Sequence, residues 1–184
     1  MKILIAGDGK VGMALTHELV REGHDVTVID SNMNALRMDL GRYDVMTVNG
    51  NAAALNTLRE AGVEQSELLI AATSADETNI LCCLTARSLN KNLHTIARVR
   101  NPEYTEQLFT MREYLGLSLS INPEFSAARE IFRLLQFPGF LRRETFAKGR
   151  VEIVELKIPE GASLQNVALN NLYKIAGVKV QLDM

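Results

Sequence analysis

The sequence predicts an α/β fold, a doubly wound parallel sheet of six strands with helices on both faces. Three observations carry this expectation. Six short apolar runs recur: Ile3–Ala6, Val26–Ile29, Val45–Val48, Leu68–Ala72, Thr95–Val99 and Leu117–Ile121. Each is followed by a stretch with helical spacing, and apolar strands alternating with helices imply a parallel sheet buried on both faces. The first run leads into Gly7-Asp8-Gly9-Lys10-Val11-Gly12, a G-x-G-x-x-G hexapeptide in the strand–turn–helix setting of a dinucleotide fingerprint.

Each element has its own signal. After the first strand, Val11, Leu15 and Leu19 recur every four residues and Gly23 supplies a stop. After the second, Ser31 or Asn32 caps a helix carrying Met33, Leu36 and Leu40, which Gly41 ends. Ala52 to Ala61 reads as a third helix closed by Gly62, and Thr73 to Leu89 as a long fourth. Pro102 stands where the first turn of a fifth belongs, and a sixth starts at Glu124. The Rossmann-like unit so formed places a ligand outside the carboxyl ends of the strands, where strand order reverses.

That rule selects the candidate binding residues. Gly7 permits the tight turn, Gly9 lets the backbone approach a pyrophosphate and Gly12 allows close helix packing. The helix opening after Gly9 aims its free N–H groups at the phosphates, with Asp8, Lys10 and Val11 in the same loop. Asp30 ends the second strand, eighteen residues beyond Gly12. An acid there accepts hydrogen bonds from a ribose diol and repels a 2′-phosphate, which favours NAD or NADH over the NADP forms. Ser31 follows it. Asn51, beside Ala52, either reaches an adenine edge, caps the third helix, or does both. Ala71 and Ala72 leave room for a flat ring or a ribose, Thr73 and Ser74 offer hydroxyls, and Asp76 or Glu77 favours the helix start. By strand alternation Arg98 and Arg100 face one side, as a phosphate-binding pair or as solvated arginines.

Composition narrows the class. The chain has 184 residues, 47% hydrophobic and 23% charged, with a net charge of −2. These are the proportions of a soluble globular protein, and no basic field recruits nucleic acid. No apolar run reaches bilayer length, and residues 1–30 read as strand–helix–strand rather than a signal peptide, so a cytoplasmic protein is expected. Cys82 and Cys83 are adjacent, poorly disposed for one metal or for a mutual disulfide, and read as buried helix residues in a reducing compartment; no metal site is expected.

The motif set is more specific than its glycines. The glycine loop, Asp30, Val48-Asn49-Gly50-Asn51-Ala52, Leu58-Arg59-Glu60-Ala61-Gly62-Val63 and Ala72-Thr73-Ser74-Ala75-Asp76-Glu77-Thr78-Asn79 together resemble the regulatory subunits of Trk-type bacterial potassium uptake systems, which carry an RCK (KTN) domain. Ile96-Ala97-Arg98-Val99-Arg100-Asn101-Pro102-Glu103-Tyr104 and Ile121-Asn122-Pro123-Glu124 are similar to the family's fifth and sixth strands. The resemblance covers about residues 1–140 and implies a nucleotide-binding domain there, with 141–184 opening a small C-terminal α+β lobe. It implies a nonenzymatic regulator that binds NAD(H) or ATP/ADP on the cytoplasmic side of the inner membrane. Its implied partner is a TrkH/KtrB-like potassium channel or transporter subunit. It further implies homodimers assembling into larger rings, partly through the helix near Phe125–Leu135, and arginines of the Arg98/Arg100 type on nucleotide phosphates.

The tail expectations are coarser. Phe137-Pro138-Gly139 breaks the sixth helix, and Glu144 to Ile158 reads as one or two strands across a Lys148-Gly149 turn. A short helix with Leu164, Val167 and Leu172 follows. The lobe is either abbreviated or part of a longer chain. Arg142, Arg143, Lys148 and Arg150 face a membrane-bound partner or form a solvated linker. The alternative function is an NAD-dependent oxidoreductase. Against it, His17, His24 and His94 all fall away from strand carboxyl ends, and none of Tyr43, Tyr104, Tyr114 or Tyr173 has a lysine four residues on.

Overall fold

A computed structural model describes residues 1–115, 117–136, 140–146, 150–163, 165–168, 171 and 174. The chain divides into two compact units, Met1–Ala127 and Ala128–Met184.

The first unit alternates strand and helix. Its elements are β1 (Lys2–Ala6), α1 (Lys10–Arg21), β2 (Asp25–Asp30), α2 (Met33–Leu40), β3 (Met46–Asn49), α3 (Leu55–Glu60), β4 (Leu68–Ala71), α4 (Asp76–Leu89), β5 (His94–Arg98), α5 (Pro102–Leu115) and β6 (Leu119–Ile121). α6 (Pro123–Gln136) begins here and runs past the division between the units. The six strands are all parallel, in the order β3-β2-β1-β4-β5-β6. This is the doubly wound Rossmann-like sheet expected from the apolar runs, and its order reverses between β1 and β4.

Alternation along β1 explains why helices cover both faces. Leu4 and Ala6 join one core with Ile29, Leu58, Leu69, Cys82, Cys83 and Leu108, from α3, α4, α5 and the strands. Ile3 and Ile5, pointing the other way, join Val26, Val28 and Leu36 in a second core against which Leu15, Leu19 and Val20 of α1 pack. All of β1 beyond Lys2 is buried, so its run is apolar without interruption. Each fully buried Ile or Leu here contributes about 1.5–3 kcal/mol. Cys82 and Cys83 are buried free thiols, and burial pushes the Cys82 thiol up to about 12 and raises Cys83 as well.

Local chemistry moves several boundaries. The α2 cap is Asn32, whose side chain accepts the Asn34 N–H at 3.0 Å, and not Ser31. α3 begins at Leu55 rather than Ala52, because Asn51 Oδ1 accepts the Ala53 N–H at 3.0 Å and closes a turn ahead of the helix. Asn51 is therefore a turn residue, and Ala54 is the α3 cap. α4 starts at Asp76 rather than Thr73, since the Thr73 hydroxyl bonds to the Ala75 backbone. β6 is shorter than its apolar run and starts at Leu119.

The second unit contains an antiparallel hairpin of β7 (Phe140–Phe146) and β8 (Val151–Leu156). Phe146 pairs with Val151 and Glu144 with Ile153, with an irregularity between Phe140 and Arg142. β7 thus starts four residues before the expected Glu144. The Phe137–Gly139 break, the Lys148-Gly149 turn, Leu164 and Leu172 lie outside the described residues. No described helix is long and apolar enough to cross a membrane.

Candidate functional site: a cleft at the switch point

The carboxyl ends of β1, β2 and β4 open into a cleft of about 610 Å³. Its floor is the turn after β1. Gly7 has φ +101°, and a Cβ there would meet the Thr73 backbone nitrogen at 2.7 Å. At Gly12 a Cβ would lie 1.8 Å from the Gly7 carbonyl oxygen, so only glycine lets α1 start so close to the strand. No side chain caps the α1 N-terminus at Gly9, and the space beside Gly9 is open. Among the described residues no side-chain hydrogen bond caps this helix start, whose first-turn N–H groups offer donors to an anion.

Asp30 ties two loops together. One carboxylate oxygen accepts the Asp8 N–H and the other the Asn32 N–H, each at 2.7 Å. A carboxylate has about four lone-pair sites, so each oxygen keeps capacity for a ribose hydroxyl. The Asp30 carbonyl accepts from Gly50 N–H at 3.0 Å and from Asn49 Nδ2 at 2.9 Å, which brings the β3 tip to the same rim.

The opposite wall is built by a buried amide. Asn79 is fully buried on α4. Its Oδ1 accepts from the Thr73 N–H at 2.8 Å and from the Thr73 hydroxyl at 2.7 Å. Its Nδ2 donates to the Arg98 carbonyl at 2.9 Å and to the Thr73 carbonyl at 3.3 Å. The Thr73 hydroxyl is thus engaged inside the wall rather than offered to the cleft. Arg98 lies along this wall, its guanidinium on the Thr73 carbonyl at 3.4 Å and on the Glu124 carboxylate. Its Nε is buried without an acceptor among the described residues. The hydrogen bond from Arg98 holds the Glu124 carboxyl below its usual range.

Thirteen predicted residues line the cleft: Gly7, Asp8, Gly9, Lys10, Val11, Asp30, Ser31, Asn51, Ala52, Ala72, Thr73, Ser74 and Arg98. Gly12 lies beneath it. Glu77 and Arg100 stand apart. Glu77 accepts the Tyr104 hydroxyl at 2.7 Å. β5 ends at Arg98, so strand alternation does not extend to Arg100. Arg100 instead lies on Ser74 and Asp76. Asp76 is buried, which raises its carboxyl; N–H groups of Asn101 and Arg100, both at 2.8 Å, and the Arg100 guanidinium outweigh this and lower it. Among lining residues not anticipated are Ile29, Asn32, Gly50 and Thr78. The structural residues Asp76 and Asn79 were also missed as such; polar side chains at buried helix positions are the signal that marks them.

The TrkA-N domain family model matches residues 3–123. The chain belongs to the TrkA-N domain family. The Trk system potassium uptake protein TrkA homolog of Archaeoglobus fulgidus is 38% identical over 173 residues, covering 94% of this chain and 39% of that protein. The chain thus spans about two fifths of the length of the curated relatives it matches. The TrkA-N domain of inner membrane protein ybaL from Escherichia coli superposes with a TM-score of 0.65 at 25% identity, over 73% of this chain and 96% of that one. Two GsuK structures hold different nucleotides. GsuK bound to ADP matches at TM-score 0.62 and 27% identity over 74% of this chain and 34% of that one. The GsuK channel bound to NAD matches at 0.56 and 25%, over 65% and 21%. The Trk and GsuK names are those of a potassium uptake system and of a channel, not of enzymes.

Proposed function

We propose that the chain is the nucleotide-binding part of a nonenzymatic regulator of a membrane potassium transporter, responding to NAD(H) or to ATP/ADP. The observation that carries this reading is the cleft itself: an uncapped helix N-terminus over a glycine turn, with Asp30 at one rim and Arg98 at the other. It has a donor set for a pyrophosphate, an acceptor for a ribose diol and cations at Lys10 and Arg98 for further phosphate. The GsuK structures with NAD and with ADP support both ligand classes. The Trk system relatives support potassium transport as the regulated process.

In this reading residues 1–140 form the nucleotide-binding domain and 141–184 open a C-terminal lobe. The protein works on the cytoplasmic face of the inner membrane, on a TrkH/KtrB-like subunit, as a homodimer within a larger ring. The oxidoreductase alternative has no observation in its favour. His17 sits on Glu18 and Tyr43, His24 beside Glu22, and His94 at the start of β5, the strand end opposite the cleft.

A reconstituted flux assay tests the proposal. Potassium flux through a Trk-type channel subunit in vesicles is measured with and without this protein while ATP, ADP, NAD and NADH are varied. The expected result is a nucleotide-dependent flux that requires the protein. Flux indifferent to every nucleotide with the protein bound contradicts it.

A further inference from the structure

We propose that Asn79 is a positioning residue of the nucleotide site: it touches no ligand but holds the Thr73 loop and the tip of β5 in the geometry that binding needs. The inference rests on the nucleotide-binding reading above.

Asn79 has no exposed surface and lies on α4, outside the residues that line the cleft. All four of its side-chain hydrogen bonds go to the two segments that form one cleft wall. Oδ1 takes both the N–H and the hydroxyl of Thr73, while Nδ2 gives to the carbonyls of Thr73 and Arg98. The carbonyl it holds belongs to the residue whose guanidinium lies along that wall. Gly7 leaves no slack on the other side, since even a Cβ there would meet the Thr73 backbone nitrogen at 2.7 Å. A shift of the Thr73 loop therefore reaches the glycine turn and Arg98 together. Only a carboxamide meets this pattern, because it offers an acceptor and a double donor at one place. An aspartate has the same shape but turns an anionic oxygen on two carbonyls. Burial raises the pKa of such a carboxyl, and once protonated it donates one hydrogen bond and still accepts.

This chemistry gives the test. NAD binding to wild type and Asn79→Asp is measured by calorimetry at pH 8 and pH 6, with circular dichroism at both. The NAD pyrophosphate is a diester that does not titrate in this interval, so the ligand is constant. The expected result for folded Asn79→Asp is a loss of tenfold or more at pH 8, with recovery of most of it at pH 6. A loss under fivefold at pH 8, or an equal loss at both values, overturns the proposal. Should Asn79→Asp fail to fold at pH 8, Asn79→Ser carries the test there. Folded Asn79→Ser losing tenfold or more supports the proposal, and a loss under fivefold overturns it. Wild type that binds no NAD, ATP or ADP overturns the nucleotide reading and this inference with it. Wild type that binds alongside unaffected variants overturns only the role of Asn79.

Discussion

At the scale of single residues, the cleft depends on atoms that cannot be exchanged. Gly12→Ala would put a Cβ 1.8 Å from the Gly7 carbonyl oxygen, so α1 or the turn must move. We expect a loss of about 1–3 kcal/mol of stability, the scale of overpacking, together with weakened NADH binding, read by thermal melting and calorimetry. Asp30 has two duties, with its oxygens already on the Asp8 and Asn32 N–H groups. Asp30→Ala should weaken NADH binding by about 1–3 kcal/mol, the scale of lost hydrogen bonds to a charged group, and also lower Tm. The two arginines should separate. Arg98→Ala is expected to reduce ATP affinity, because Arg98 lines the cleft, whereas Arg100→Ala should leave it within about twofold, because Arg100 lies on Asp76 and Ser74. A larger ATP deficit in Arg100→Ala than in Arg98→Ala reverses this assignment. The glycine loop and Asp30 were legible because their backbone and charge requirements admit few residue types. The separation of Arg98 from Arg100 was not legible, because it depends on where β5 stops.

At the scale of elements, the apolar runs predicted all six parallel strands, while β6 starts two residues late, β7 four residues early and two helices start late. α3 and α4 each begin three residues late, because Asn51 and Thr73 spend their side chains on local turns. Side chains that compete with helical hydrogen bonding decide such boundaries, and apolar periodicity does not sense them. The joint between α4 and the loop after β5 also predicts a pH response. Asp76 and Glu124 have carboxyls lowered in the folded protein: Asp76 by the Asn101 and Arg100 hydrogen bonds that outweigh its burial, Glu124 by Arg98. A lowered folded value means stability that is full above the ordinary values of 3.8 and 4.5 and is lost as pH falls through the lower folded ones. Melting curves should therefore show Asp76→Asn closing its gap to wild type below about pH 4, the ordinary Asp range. A gap unchanged from pH 7 to pH 3 contradicts the assignment.

At the scale of the whole molecule, α6 presents Phe125, Ile131, Phe132 and Leu135 as exposed side chains, Leu135 to 75%. Apolar exposure of this kind on a helix is unusual for a monomer and suits a two-fold contact between copies. Light scattering at micromolar concentration should give at least a dimer, and Phe132→Asp should shift it toward monomer; a monomeric wild type contradicts this. The nucleotide cleft remains the central claim, and one calorimetric series tests it most directly. Wild-type protein is titrated with NADH, NADPH and ATP. The account predicts saturable binding of NADH and ATP that compete for one site per chain, with NADPH at least tenfold weaker because Asp30 repels its 2′-phosphate. Absence of binding by all three, or NADPH binding as tightly as NADH, would contradict it.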